Sequence, residues 1–495
     1  VTTVCLLGLL TPIGCAGGGI RNSKRAAEDP LGVLSDATAP AKTKVLAVEV
    51  LAEDGRSGEL GAEIVRETLK RLAWGRNNRP SVRIAAIDEL FTDYPHDTAR
   101  MLSLMLPTEN HWQVIEHVCD MAVETNTTEL IPALVRSWSR QVPSPPDDER
   151  PERAAIIALA PGVPVEKTVF GVFATMSDPD DPNDPEDHFA LRTRRDAWTL
   201  LSRIDPAGAT TRDYIAQAPD ASGDPLLADL QVAARQLGAI PLTTEQLDWV
   251  ENLRKPEHAE FWRRAVAVVA TLGPEQREGF ELRHIAGVLW ASAHRPGWLT
   301  TSRSELLSTL STELAGRRHT RRTADFPDAM VGARESVDAW RKDLVWGDAL
   351  LLLIADQAIS DPRVVRELFE QADHDQRDES TEYGGVLDAD PDRVNESGFV
   401  AWSFPPRPAQ RGGDNRFIAS RELLDAGATA LFHYHFHAQS HNNGEYAGPG
   451  PGDLEYAKKF GRSCLVLTFV STNALGVDYY QPDGARIDLG SIKRP

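Results

Sequence analysis

Between Lys44 and Asp373 the sequence makes one kind of statement repeatedly: about 10–15 residues of helical periodicity, then a breaker. In HWQVIEHVCDMAVE the apolar residues Val114/Ile115, Val118/Cys119 and Ala122 recur at i, i+4 and i+8, a single stripe on a helix. SVRIAAIDELF does the same with Ile84, Ile87 and Leu90/Phe91. FWRRAVAVVATL and WGDALLLLIADQA are apolar nearly all round, which predicts helices packed on two sides. PSPPDDERP (Pro143–Pro151) and TLGPEQ separate such elements. Amphipathic helices joined by short turns must bury their stripes on one another. The expectation is a mostly α body of helical hairpins, an α-solenoid of HEAT-like type or, since no clean repeat signature is present, an irregular helical array.

After Asp373 the pattern changes. TEYGGVLDAD, GFVAWSF, ALFHYHFHA, CLVLTFVST and GVDYYQPDG are short β-rich runs bounded by Gly, Pro and Asp, with a helix expected over RFIASRELLDAG. The chain therefore reads as multidomain: a leader at 1–15, a flexible tether at 16–43, a helical region at 44–373 and an α+β domain at 374–495. Its net charge of −20 excludes wholesale binding to nucleic acid, which needs clustered Lys and Arg. The longest internal apolar run, Ala349–Ala355, is too short to span a bilayer. The leader VTTVCLLGLLTPIGCAGGG is uncharged and apolar up to Gly14. It resembles the end of a bacterial lipoprotein signal, with Cys15 as the acylated residue. That implies a lipid-anchored protein of the cell envelope or periplasm; the alternative is a cytoplasmic protein with an apolar leader. Cys119 and Cys464 fall in apolar surroundings and read as buried thiols. The acidic run SDPDDPNDPEDH (Ser177–His188) lacks calcium-loop spacing and reads as a solvated loop.

LFHYHFHAQSH holds four of the thirteen histidines. In a strand, residues two apart share a face, so His433, His435 and His437 project together and Phe432, Tyr434 and Phe436 project to the opposite, core side. Neutral imidazole is the commonest metal ligand, and alternate strand positions can reach one ion. The competing reading is a wet, partly polar strand face. Asp453 opens the amphipathic segment DLEYAKKF, where a carboxylate is favoured by the helix dipole whether or not it binds metal.

EYGGVL (Glu382–Leu387), then HFH (His435–His437), then PGPGD (Pro449–Asp453) resemble the JAB/MPN metalloprotease family and its JAMM motif. That motif is a Glu on an early strand, then His-x-His, then Ser-x-x-Asp. The resemblance covers residues 380–492. It implies an α+β JAB/MPN-like domain in which His435, His437 and Asp453 hold Zn2+ and Glu382 holds and deprotonates the attacking water, with His433 behind the ligands. It implies a hydrolase, a zinc-dependent peptidase or isopeptidase, with a protein or peptide partner engaged by the helical region. Gly450 stands where the motif has Ser, Ala438 where it has Pro, and the loop from His437 to Asp453 is about five residues longer than usual. The hydroxyl that stabilises the oxyanion is thus missing, with Ser440, Asn442 and Asn443 as replacement donors. The alternative is a catalytically inactive MPN-like scaffold. A second alternative is a cupin-like metal domain, since Gly427, His433-x-His435 and Gln439 nearly match that family's motif.

Overall fold

The computed structural model describes residues 23–175, 185–219, 221, 223–320, 335–390, 392 and 398–495. The lipoprotein leader with Cys15 lies outside the described residues, as does the acidic loop up to residue 184; a helix, Pro185–Ile204, follows that loop. Two compact units make up the chain, Val1–Leu200 and Leu201–Pro495. Among the described residues no helix is long and apolar enough to cross a membrane.

The first unit is helical. The segment expected as a tether is helical from Ser23, and Ala26, Val33 and Leu34 on it are buried. Proline at the first position starts the helices Pro80–Asp93, Pro95–Met105 and Pro151–Leu159, where its missing N–H costs nothing. Val114, Ile115, Val118, Cys119 and Ala122 are all buried on Trp112–Glu124, the stripe read from their spacing. That helix packs on Pro151–Leu159, and Ala41–Ser57 packs on Pro80–Asp93. Arg83 is fully buried and is neutralised by Glu109, with its Nε donating to the Ala73 carbonyl at 2.8 Å.

The second unit joins helices to a sheet. Its central helix, Trp346–Ile359, buries Leu350 through Ala355 on all sides, against Arg303–Leu314, Ile285–His294 and Pro362–Asp375. Ala259–Val269, expected to be enclosed in the same way, buries only Trp262, Ala265 and Val269. Its valines at 266 and 268 are half-buried, because packing on one side already satisfies a single i, i+3, i+7 stripe. The sheet has six strands: β1 (Gly384–Ala389), β2 (Phe399–Ser403), β3 (Phe432–His437), β4 (Cys464–Ser471), β5 (Ala474–Tyr480) and β6 (Arg486–Lys493). Their order is β2-β1-β3-β4-β5-β6, and every pairing is antiparallel except β3–β4.

Polar side chains on the helices key them to this sheet and to the segments that flank its strands. Trp249 Nε1 donates to the Ala428 carbonyl at 2.8 Å, Gln371 Nε2 to the Ala401 carbonyl at 2.9 Å, and Gln481 Nε2 to Asp348 Oδ2 at 3.1 Å. Asp348 also takes hydrogen bonds from His284 and an ion pair from Arg283 at 2.6 Å. The switch from helix to strand near residue 373 is therefore not where the compact unit begins; helices from Leu201 onward belong with the sheet.

Candidate metal centre

The pairing register explains why distant residues converge. Gly384 lies opposite His435 across the antiparallel β1–β3 pair, so both face the same side. Two residues back along one strand and forward along the other, Glu382 and His437 share that side, and the Phe436 N–H still bonds the Tyr383 carbonyl at 3.1 Å. β3 and β4 are parallel, so the chain must cross over between them, and the helix Pro451–Phe460 does so. A crossover helix runs against its strands, which sets its N-terminus at the end of β3 where His437 stands. Asp453 is in that first turn.

Two imidazole nitrogens and a carboxylate meet there. His435 Nε2 and His437 Nε2 are 3.3 Å apart, His435 Nε2 is 3.1 Å from Asp453 Oδ1, and His437 Nε2 is 3.5 Å from Asp453 Oδ2. Four-coordinate zinc with bonds of about 2.0–2.1 Å sets its ligands about 3.3 Å apart, so the spacing fits. The outer nitrogens fix the tautomer. His437 Nδ1 lies 3.0 Å from the Tyr446 carbonyl, which can only accept, so Nδ1 carries a proton and Nε2 is the nitrogen turned to the cluster. His435 Nδ1 is 3.3 Å from the Tyr480 hydroxyl, which can take the corresponding proton. Phe417 stacks on the His435 ring at 5.4 Å and 19°. A Cβ on Gly384 would stand 2.4 Å from the Phe417 ring, so only glycine in β1 leaves room for it.

The electrostatics follow from burial. Burial would raise the Asp453 carboxyl, but His435 and His437 hold it well below the usual range. Burial would lower His437, but Asp453 more than offsets this and the net direction is up. Glu382 is 5% exposed, and burial raises its pKa against the pull of the two histidines. Its Oε1 accepts from Gln439 Nε2 at 3.0 Å, and Gln439 Oε1 accepts from Asn443 Nδ2 at 2.6 Å. Behind it the buried Asp375, which accepts from the Tyr383 N–H at 2.6 Å, is pushed up to about 8 by desolvation. Glu382, His437, Gly450 and Asp453 line one cavity of about 670 Å3, with Phe417, Tyr456 and Tyr480 among its walls.

The histidine face is thus not a wet strand surface: His433 and His435 are each 2% exposed. His433 lies on the expected face but outside the cluster. Its Nδ1 pairs with the Tyr456 hydroxyl at 2.9 Å, and burial drives its pKa well down. The trio needed by the cupin reading is consequently not assembled, and Gln439 serves Glu382 instead. Gly450 caps the crossover helix with φ −82°, and its N–H donates to Asp453 Oδ2 at 2.6 Å. Asn443 lines the cavity, but its Nδ2 is engaged by the His437 carbonyl and Gln439; Ser440 Oγ accepts from the Asn442 N–H at 3.3 Å. The helix expected from Arg416 starts only at Arg421, because Ser420 caps it by accepting from the Leu423 N–H. The residues before it form the loop that carries Phe417. Tyr480 was findable in principle: it alternates with Asp478 on the strand beside β4, and its register partner Cys464 also pairs with His433. Phe417 and the Tyr446 carbonyl leave no such pattern.

No family model, curated protein or solved structure matches the chain.

Proposed function

We propose that residues 380–492 form a zinc-dependent peptidase or isopeptidase domain of JAB/MPN type. What carries the reading is the convergence of His435, His437 and Asp453 with, among the described residues, no lysine or arginine paired to them, beside a buried glutamate in the same cavity. His435 and His437, through Nε2, and Asp453, through a carboxylate oxygen, would hold the ion. Zinc in such a site lowers the pKa of a bound water toward about 7 and polarises an amide carbonyl.

The chain's own groups supply the rest. Glu382, one oxygen of which is held by Gln439, would take the proton of the attacking water and return it to the leaving amine. Tyr480 and the Tyr446 carbonyl keep the imidazoles turned with Nε2 inward. The helical region would present the protein or peptide partner, and acylation at Cys15 would tether the chain to the envelope.

Elemental analysis of the purified full chain tests the first step. One zinc per chain is expected, and none in a His435→Ala/His437→Ala variant. Zinc-free wild type would end the reading. A second reading, a metal-stabilised scaffold without turnover, is favoured by one observation: Gly450 brings no hydroxyl to the cavity. Zinc at full occupancy with no cleavage of any peptide or isopeptide pool by wild type, and loss of none of its partner binding in Glu382→Gln, would select it.

A further inference from the structure

The loop between β2 and β3 places a cation at the cavity mouth, and its backbone is held on both sides. Upstream, the Asp414 carbonyl accepts from Gln439 Nε2 at 2.5 Å, the same amide that holds Glu382. Downstream, Phe417 is locked on His435. Arg416 sits between these anchors, is exposed, and lines the cavity with Glu382 and Asp453. It is the one lysine or arginine among the described residues of that wall.

Nearby arginines have carboxylate partners. Arg407 pairs with Glu422, Arg411 with Asp378 at 2.7 Å, and Arg421 with Asp425 at 3.7 Å. Arg416 pairs with none among the described residues, although the chain carries a net charge of −20. A guanidinium fork matches a carboxylate in two parallel hydrogen bonds. The cavity's own carboxylates, Glu382 and Asp453, do not serve: one is held by Gln439, the other by the histidines.

We infer that Arg416 selects substrates bearing a carboxylate close to the scissile amide, so that the peptides taken are those with a free C-terminus or an acidic residue at the cavity mouth. The inference rests on the peptidase reading of the cavity. Binding of three neutral-backbone probes to the full-length zinc-loaded protein tests it: N-acetyl-Ala-Ala, its C-terminal amide, and N-acetyl-Ala-Glu-amide. At low ionic strength, one or both carboxylate probes should bind at least about tenfold more tightly than the neutral amide, as charge-assisted hydrogen bonds imply. Preference for the first alone identifies a free C-terminus, and preference for the third an acidic side chain. In Arg416→Gln, with zinc still at wild-type stoichiometry, the preference should fall below about twofold. Equal binding of the three probes, no binding of any, or a preference that survives in Arg416→Gln because the carboxylate reaches the metal overturns it. If the protein takes up no zinc, it is the metal reading that fails, and the same comparison on the metal-free chain still scores Arg416.

Discussion

Two buried His/Asp clusters stand in the same compact unit and solve the same problem differently. At Asp348 the carboxylate has His284 at 2.9 Å and the guanidinium of Arg283 at 2.6 Å. Burial alone would raise this carboxyl, and Arg283 with His284 holds it well below its ordinary value. That cluster contains its own cation and is electrically complete. At Asp453 the carboxylate has two histidines and, among the described residues, no lysine or arginine paired to it, so the only positive charge the cluster can supply is a proton shared with the imidazoles. A third carboxyl, Asp375, has no ion-pair partner among the described residues, and burial pushes it up to about 8, so it keeps a proton. A His beside an Asp says little by itself. What separates a brace from a metal site is whether the cluster already carries its positive charge.

The first consequence is for the cluster that lacks one. Stripping zinc with a chelator should cost the folded state about 4 kcal/mol relative to protein at 1,000-fold Kd of free zinc, read as a fall in Tm. The His435→Ala/His437→Ala variant should show no response to chelator. Equal responses would erase the distinction between the clusters.

Next comes the completed cluster. Arg283→Met leaves Asp348 buried without its cation and should destabilise by about 3–5 kcal/mol in urea unfolding, while zinc stoichiometry stays at the wild-type value.

The proton-holding carboxyl gives the pH test. Native Asp375 stays protonated where the unfolded chain ionises, so its contribution is full below about pH 4 and is lost as pH rises toward 8. Asp375→Asn, which can still accept from the Tyr383 N–H, should gain up to about 5 kcal/mol at pH 8 and nothing at pH 4. A gain independent of pH would mean that the residue is ionised after all.

Smaller effects sharpen the site itself. Tyr480→Phe removes the partner of His435 Nδ1 and should weaken zinc about tenfold by competition with a chromogenic chelator, with little change in Tm of the metal-free protein. Gly450→Ser should raise residual peptidase rate by about tenfold, since a preorganised oxyanion donor is worth roughly 2.7–4 kcal/mol when ideally placed and a grafted one less. The backbone permits it: φ is −82°, and the new Cβ meets only Asp453 Oδ2, at 3.5 Å. A folded, zinc-loaded variant with no gain would show that the missing hydroxyl is not what limits the site.

Periodicity made part of this legible. Alternation in FHYHFH gave both faces of β3, because a strand has only two. The stripe on Trp112–Glu124 was equally plain. Glu382 is different. No local pattern ties it to His437, and only the resemblance to JAB/MPN motifs brought it in before the register placed both on one side of the sheet. The division near residue 373 tracked local propensity, whereas the helices from Leu201 on join the sheet through single polar contacts such as Trp249 to Ala428 and Gln371 to Ala401. Such contacts have no period. For the same reason Phe417 was read into a helix: its apolar ring suits a helical stripe as well as the notch above Gly384, and only tertiary space decides.

The crossover from β3 to β4 also separates a short chain closure from a long one. All three converging atoms belong to residues 435–453, a short stretch whose closure costs little chain entropy, while Glu382 arrives only when β1 zips onto β3. The ligand set proposed for the ion is thus local in sequence, and the proposed proton carrier is not. On the peptidase reading, gripping a metal would need only this short stretch, and cutting would need β1 as well.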